Sequence, residues 1–425
     1  MTHAAKHIRL TQTRRRFALT WLLDALVPKQ PRRVTFVCKR RFGFSGNLRA
    51  VCLAFARRRD HEVYVWCEAE LPERTRTVLE RSGVTLLPRF SLGSVLLLVS
   101  SGIIVVDHSI RDAYISRKSR RRSIVNLWHG VPIKNIELGA RRLTASQRRI
   151  VEQNAKLYDL MIASSEHDRR AIASAFGVPP SRVHVAGLPR YDLLDAKPPL
   201  EDDLVEQEHS LLTKLQGRKL VLYAPTFRES GPSPLSLIPE EGWRLLGDTL
   251  ANHGAVLGVR THPYDAATCP TEHPAILRFT AREYPETNLV LRHASVLITD
   301  FSSLWIDYLL LSRPIAGLAP DRERYRSEER GFIYDLDEVF PGPFFASAEP
   351  LAAWLATQLS QADAQQDYPL QRKLFHSTLM APFSERCVEL ILNRVGAPAA
   401  TSDQQPGFAP AVDAANNPRV EPKAP

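Results

Sequence analysis

From residue 34 onward the chain alternates short, continuous apolar runs with polar or helix-patterned segments. Runs at 34–37, 62–66, 103–106, 124–127, 160–163 and 183–186 read as strands, with a glycine-containing loop at 43–47 and a helix at 48–59. Strands without apolar/polar alternation are buried on both faces, so this pattern predicts a parallel sheet with helices on either side. Around 195–218 the sequence turns polar, with Pro199 followed by Glu201, Asp202, Asp203, Glu206 and Glu208, and a domain boundary is expected there. The rhythm resumes at 220–223, 255–259, 289–291, 296–298 and 315–317, which predicts a second doubly wound domain. The expected organisation is a basic amphipathic helix over 1–30, Rossmann-like domains over 31–200 and 215–395, and a disordered tail over 397–425, where Pro, Ala, Asn, Asp and Gln dominate.

Length supports this division, since 425 residues exceed what one ordinary core occupies. Lys and Arg number 56 against 46 Asp and Glu, a net +10 that favours an anionic partner without choosing among nucleotide, nucleic acid and lipid. The five cysteines are scattered and lack a C-x-x-C spacing, so neither a disulfide framework nor a zinc site is indicated and a reducing compartment fits. The longest apolar stretch, 95–106, is interrupted by Ser100, Ser101 and Gly102 and falls short of the roughly 20 residues of a spanning helix. Near the N-terminus, Arg14, Arg15 and Arg16 precede Phe17, Leu19, Trp21, Leu22, Leu23, Leu26 and Val27, with no small-residue cleavage site. A helix of this composition suits either the bilayer interface or packing on its own domain.

Ligands of open α/β sheets bind beyond the carboxyl ends of strands. Four such places carry chemistry. Trp128, His129, Gly130, Val131, Pro132, Ile133 and Lys134 set an imidazole at a strand end, either as a general base or as a structural histidine. Pro225, Thr226 and Arg228 bring a hydroxyl and a guanidinium suited to phosphate. Arg260, Thr261 and His262 precede Pro263 in a strand-exit turn that either faces the cleft or lies on the surface. The run from Thr299 through Ser302, Ser303 and Asp307 passes from strand to helix, giving a phosphate site at a helix N-terminus, a plain N-cap, or both.

Taken in order, WHGVPIK, SSEHD, GLPRYD, YAPTFR, RTHP and ITDFSSLWIDYLLLSRPI resemble the recurrent blocks of the CDP-glycerol glycerophosphotransferase family, over roughly residues 30–390. The resemblance implies a glycosyltransferase type B architecture, two Rossmann-like domains facing a cleft, with the nucleotide held mainly by the second. It implies no cofactor and no metal. The reaction would move glycerol phosphate or a related alditol phosphate from a CDP-linked donor to a hydroxyl of a polymer or lipid-linked acceptor, releasing CMP. His129 would be the base, with Glu166 orienting it from the SSEHD loop. His262, Arg260, Arg190, Thr226 and Arg228 would surround the diphosphate, Ser302 and Ser303 would cap it, and Asp307 would lie near ribose or glycerol. The expected location is cytoplasmic, peripheral on the inner face of the cell membrane.

Two positions depart from the family pattern: Val131 stands for a usual Thr and Phe301 for a usual Tyr, so a hydroxyl is expected to be missing from the donor pocket. Asp335 and Asp337 form a D-x-D that other glycosyltransferases use for metal, inside a segment that resembles this family's own loop. The rival readings are a nucleotide-sugar glycosyltransferase of the same architecture and a nucleic-acid-binding protein prompted by Lys118, Arg120, Arg121 and Arg122. The latter lacks interleaved aromatics or a binding module, and no nucleic-acid partner is expected.

Overall fold

The computed structural model describes residues 3–38, 43–88, 90–195, 199–228, 231–261, 272–329, 331–361 and 365–395. His262 and the expected tail over 397–425 lie outside them. Two wholly parallel sheets organise the chain. The first runs β1 (Gln30–Val37), β2 (Glu62–Trp66), β3 (Val84–Leu87), β4 (Ser101–Val106), β5 (Ser123–Asn126), β6 (Leu160–Ala163) and β7 (Val183–Val185), in the spatial order β3-β2-β1-β4-β5-β6-β7. The second contains β8 (Lys219–Tyr223), β9 (Ala255–Val259), β10 (Ile276–Arg278), β11 (Ala294–Thr299), β12 (Ile315–Leu318) and β13 (Phe344–Phe345), ordered β10-β9-β8-β11-β12-β13.

Burial explains the sequence pattern. Every residue of β4, β6, β9 and β12 is buried, because helices cover both faces of these strands. Phe36, Val105 and Val125 face one core, while Val37, Ile104 and Ile124 face the other. Strand order reverses beside β1 and β4 in the first sheet and beside β8 and β11 in the second. These switch points leave crevices at the carboxyl ends of the strands, where ligands of such sheets bind.

One expectation changes, and the structure adds detail to two others. The run 289–291 lies inside the helix Thr287–His293, since a short buried apolar run fits a strand or a helix equally well. The long apolar stretch divides into the helix Leu92–Ser100 and β4. The second domain does not keep everything up to 395, because the chain recrosses. Ser164 and Ser165 donate through Oγ to the carbonyls of Phe375 (2.7 Å) and Leu374 (2.6 Å). Asp192 accepts from the amides of Phe383 (2.6 Å) and Ser384 (2.9 Å), and the helix Phe383–Val395 lies on the helix Gly46–Arg58 of the first domain.

The helix His3–Leu26 packs on Leu92–Ser100. Buried Asp24 pairs with buried Arg122 and with Lys29 at 3.1 Å, and Arg16 meets Glu68 at 2.8 Å. Among the described residues no helix is long and apolar enough to cross a membrane.

Candidate active site in the interdomain cleft

A cleft of about 1110 Å³ opens between the carboxyl ends of the two sheets. The first domain contributes Gly43, Phe44 and Ser45 after β1, Glu70 and Leu71 after β2, His108 after β4, and Trp128, His129 and Lys134 after β5. Facing them are Pro225, Thr226 and Phe227 after β8, Arg260 and Thr261 after β9, Thr287, and Ser302 after β11.

His129 is solvent-exposed in this cleft. Its Nδ1 lies 3.2 Å from the backbone carbonyl of Asp107. A carbonyl only accepts, so the proton resides on Nδ1 and Nε2 is the proton-accepting nitrogen. The ring tilts against Trp128 at 4.0 Å between centroids and stacks with His108 at 5.8 Å, and His108 in turn lies 3.4 Å from Asp112.

The loop bearing His129 is fixed by a chain of buried polar groups. Asn47 donates to the carbonyl of Trp128 (2.8 Å) and accepts from the amide of Arg190 (3.1 Å). The Arg190 guanidinium donates to the carbonyl of His129 and pairs with both oxygens of Asp307, each at 2.7 Å. Burial opposes the charge of Arg190, and Asp307 outweighs it, holding the guanidinium above its ordinary pKa. Gly130 lies at φ +158, and a Cβ there would stand 3.1 Å from Arg190 Nη2, so the guanidinium would have to give by a few tenths of an ångström.

Arg260 differs. It is buried, donates to Thr287 Oγ1 at 2.9 Å, and has Glu286 as the nearby charge that favours its cationic form. Burial pushes it down to about 10 against that carboxylate. An incompletely compensated cation lining a cleft is a receptor for an anion. Glu286 is shared, accepting from the Gly46 amide at 3.0 and 3.1 Å and approaching Arg49 at 3.9 Å.

Several expected site residues take other roles. Glu166 begins the helix Glu166–Phe176, pairs with Arg169 at 2.8 Å, and does not line the cleft, so it is not the group that orients His129. Asp307 is wholly buried against Arg190 and cannot meet ribose or glycerol. Arg228 is clamped by Asp300 and Asp321, each at 2.9 Å, over the rings of Phe301 and Tyr325. It secures the Thr226 loop, whose amide donates to Asp300 at 2.8 Å, rather than facing a ligand.

Val131 and Ile133 belong to the first core, and Phe301 is buried against Tyr325 at 4.0 Å. The two family departures therefore leave the cleft wall untouched, and no hydroxyl is lost from it. Asp335 caps the helix Leu336–Val339 and Asp337 pairs with Arg322, which accounts for the D-x-D. Lys134 lines the cleft with Nζ 5.7 Å from the Tyr325 ring centroid, and its backbone bridges to Phe332. Pattern reading passed over Asn47, Asp107, His108, Glu286 and Thr287. Only their positions just beyond strand ends, or opening a helix, could have signalled them.

Two Rossmann-like sheets facing one cleft, with an imidazole on one wall and a buried guanidinium on the other, are the architecture of a type B glycosyltransferase. Residues 19–395 match the model of the CDP-glycerol:poly(glycerophosphate) glycerophosphotransferase family, and the chain belongs to that family. It is 26% identical over 346 residues to the teichoic acid poly(glycerol phosphate) polymerase of Bacillus spizizenii, covering 78% of this chain and 85% of that protein. The teichoic acid ribitol-phosphate primase of the same organism is 28% identical over 58% of this chain and 64% of its own length. In fold, the chain is similar to a structure of the wall teichoic acid polymerase TagF, with a TM-score of 0.72 at 19% identity over 92% of this chain and 96% of that one.

Proposed function

We propose that the protein transfers an alditol phosphate, glycerol phosphate first among the options, from a CDP-linked donor to a hydroxyl of a cell-surface polymer or lipid-linked acceptor. The observation that carries this reading is the placement of His129 across one cleft from buried, undercompensated Arg260. In this reading the donor diphosphate binds Arg260 with Thr226, Thr261 and Ser302, and the acceptor approaches from the wall of His108 and His129. The acceptor oxygen attacks the phosphorus that bears the alditol while its proton passes to His129 Nε2. The bond from that phosphorus to the bridging oxygen breaks, and CMP departs. Arg260 neutralises charge gathering on the diphosphate, and the Asp307–Arg190 pair holds the base loop in line.

The protein acts at a membrane surface in this proposal. Trp21, Leu22 and Leu26 are exposed on the N-terminal helix and Leu92 and Leu96 on the helix beneath it, with Arg14, Arg15, Arg117, Arg120 and Arg121 exposed on the same segments or the nearby loop. Apolar side chains among cations suit the interface of an anionic bilayer.

The test of the chemistry is CMP release from CDP-glycerol and CDP-ribitol, with and without a polyol-phosphate oligomer, for the wild type and His129→Gln. Acceptor-dependent release that falls about 100-fold or more in the variant is expected for loss of a general base. Undiminished release in His129→Gln removes the base, and turnover of a nucleotide sugar instead replaces the donor.

A further inference from the structure

The first domain holds a pair of thiols that the transfer chemistry does not use. β1 and β2 run parallel with Val37 opposite Trp66, so the next residues, Cys38 and Cys67, face each other across the strand ends. The Cys38 amide donates to the Trp66 carbonyl at 2.9 Å, which extends the ladder to this position. Val37 and Trp66 point into one core, whereas Cys38 and Cys67 both pack against the other, so the two thiols share a face of the sheet. Neighbouring strands lie about 4.8 Å apart, inside the Cα separation that a disulfide spans.

Their environments differ in a useful way. Cys38 is buried, and burial pushes its thiol up. Cys67 is only half-buried, and its neighbour Cys38 draws its thiol down. An accessible, more acidic thiol beside a sheltered one is the arrangement of an attacking and a resolving cysteine. The cleft is lined by Gly43, Phe44 and Ser45 after β1 and by Ala69, Glu70, Leu71 and Pro72 just after Cys67.

We propose that Cys38 and Cys67 form a redox modification site for hydroperoxides, closing an intramolecular disulfide that ties together two loops of the acceptor-side wall. The Cys67 thiol gives up its proton and its sulfur attacks the terminal peroxide oxygen, the O–O bond breaks, Cys67 becomes a sulfenic acid, and the departing oxygen takes the proton to leave as water, or as an alcohol from an organic hydroperoxide. Cys38 then attacks that sulfur, the S–O bond breaks, its proton goes to the departing hydroxide, and a second water leaves with the disulfide. Two thiols lose two electrons in total, and one hydroperoxide accepts them. Tying the loops slows acceptor-dependent turnover until a thiol reductant restores it. That consequence rests on the transfer reaction proposed above, whereas the crosslink does not.

The experiment treats the full-length protein with hydrogen peroxide and reads intact mass, a peptide map and CMP release. The expected result is loss of two hydrogen masses, a Cys38–Cys67 linked peptide, and a severalfold fall in CMP release that dithiothreitol reverses. Cys67→Ser should lose both the crosslink and the peroxide sensitivity. Cys38→Ser should halt at a sulfenic acid on Cys67 that a 1,3-dione traps. A map linking Cys67 to Cys52 or to a second molecule, or Cys67 left unmodified, overturns the site. A crosslink with unchanged CMP release overturns its control of the cleft. A reduced wild type that releases no CMP from either CDP-alditol defeats the function reading and leaves the mass result to stand alone.

Discussion

At the scale of single residues, the site depends on buried charges held by specific partners. Asp307 has no solvent exposure and serves Arg190 through both oxygens. Asp307→Asn keeps the shape and removes the charge, leaving a buried guanidinium undercompensated, so stability should fall by on the order of 3 kcal/mol in urea unfolding. Because Arg190 also donates to the His129 carbonyl, kcat for CMP release should fall about tenfold, with the donor KM nearly unchanged. Asp168 offers a pH test. Burial raises its carboxyl to about 7 against the Ser164 amide at 2.7 Å, which favours the anion. The folded state therefore keeps a proton that the unfolded chain releases near its ordinary carboxylate pKa. Between that value and about 7 the native state binds more protons, so this residue makes stability fall as pH rises, by on the order of 4 kcal/mol. Urea midpoints measured from acid to neutral pH should show that slope in the wild type and a flatter one in Asp168→Asn.

At the scale of elements, the return of the last helix to the first domain requires a glycine. Gly187 has φ +74, and a Cβ there would stand 2.2 Å from the ring of Phe383. Gly187→Ala should destabilise by about 2–4 kcal/mol, part from the left-handed backbone and part from the clash. Adding Phe383→Leu should recover the second part alone, and a double-mutant cycle by urea unfolding separates them. The same elements show what a one-dimensional pattern conveys. Strands such as β4 and β9, buried on both faces, are legible as unbroken apolar runs ending at the residues that line the cleft. Edge strands such as β10 and β13, of three and two residues, are too short to leave a period. The recrossing of Phe383–Val395 could not be read, since an amphipathic helix does not declare which domain it covers. The site divides likewise. His129, Arg260, Thr226 and Ser302 follow strands and could be found by position. Asp307 and Arg228 carry the same side chains as ligand-binding residues, and only the fold shows their charges turned inward, Asp307 onto Arg190 and Arg228 onto Asp300 and Asp321.

At the scale of the whole molecule, the two domains share charges across their junction, and the same surface that fixes the N-terminal helix leaves apolar groups facing water. Arg49 and Asp203 form a buried bidentate pair at 2.7 and 2.8 Å between the helix Gly46–Arg58 and the helix Asp202–Leu215 that leads into the second domain. Through Glu286, this cluster reaches Arg260. These pairs tie the first domain to the elements that carry Arg260. In the proposed function a lipid-linked or membrane-tethered acceptor would be presented at a surface, and the exposed side of the N-terminal helix is the contact proposed for it. Leu26 is 71% exposed, Leu92 59% and Trp21 51%, values out of keeping with a helix pair that only completes a core. Arg16, Phe17, Thr20 and Asp24 hold the opposite side of the helix to the domain, so the exposed face is carried on a fixed support. With a net charge of +10, binding should need both contributions. Sedimentation with vesicles containing anionic lipid should capture the wild type at low salt, release most of it as ionic strength rises past physiological, and capture little on neutral vesicles. Trp21→Glu combined with Leu26→Glu should abolish capture at every salt concentration while leaving CMP release from CDP-glycerol to a water-soluble oligomer intact, because neither side chain reaches the cleft. Capture that survives the double substitution would place the membrane contact elsewhere on the molecule, and capture that ignores salt would remove the basic residues from it.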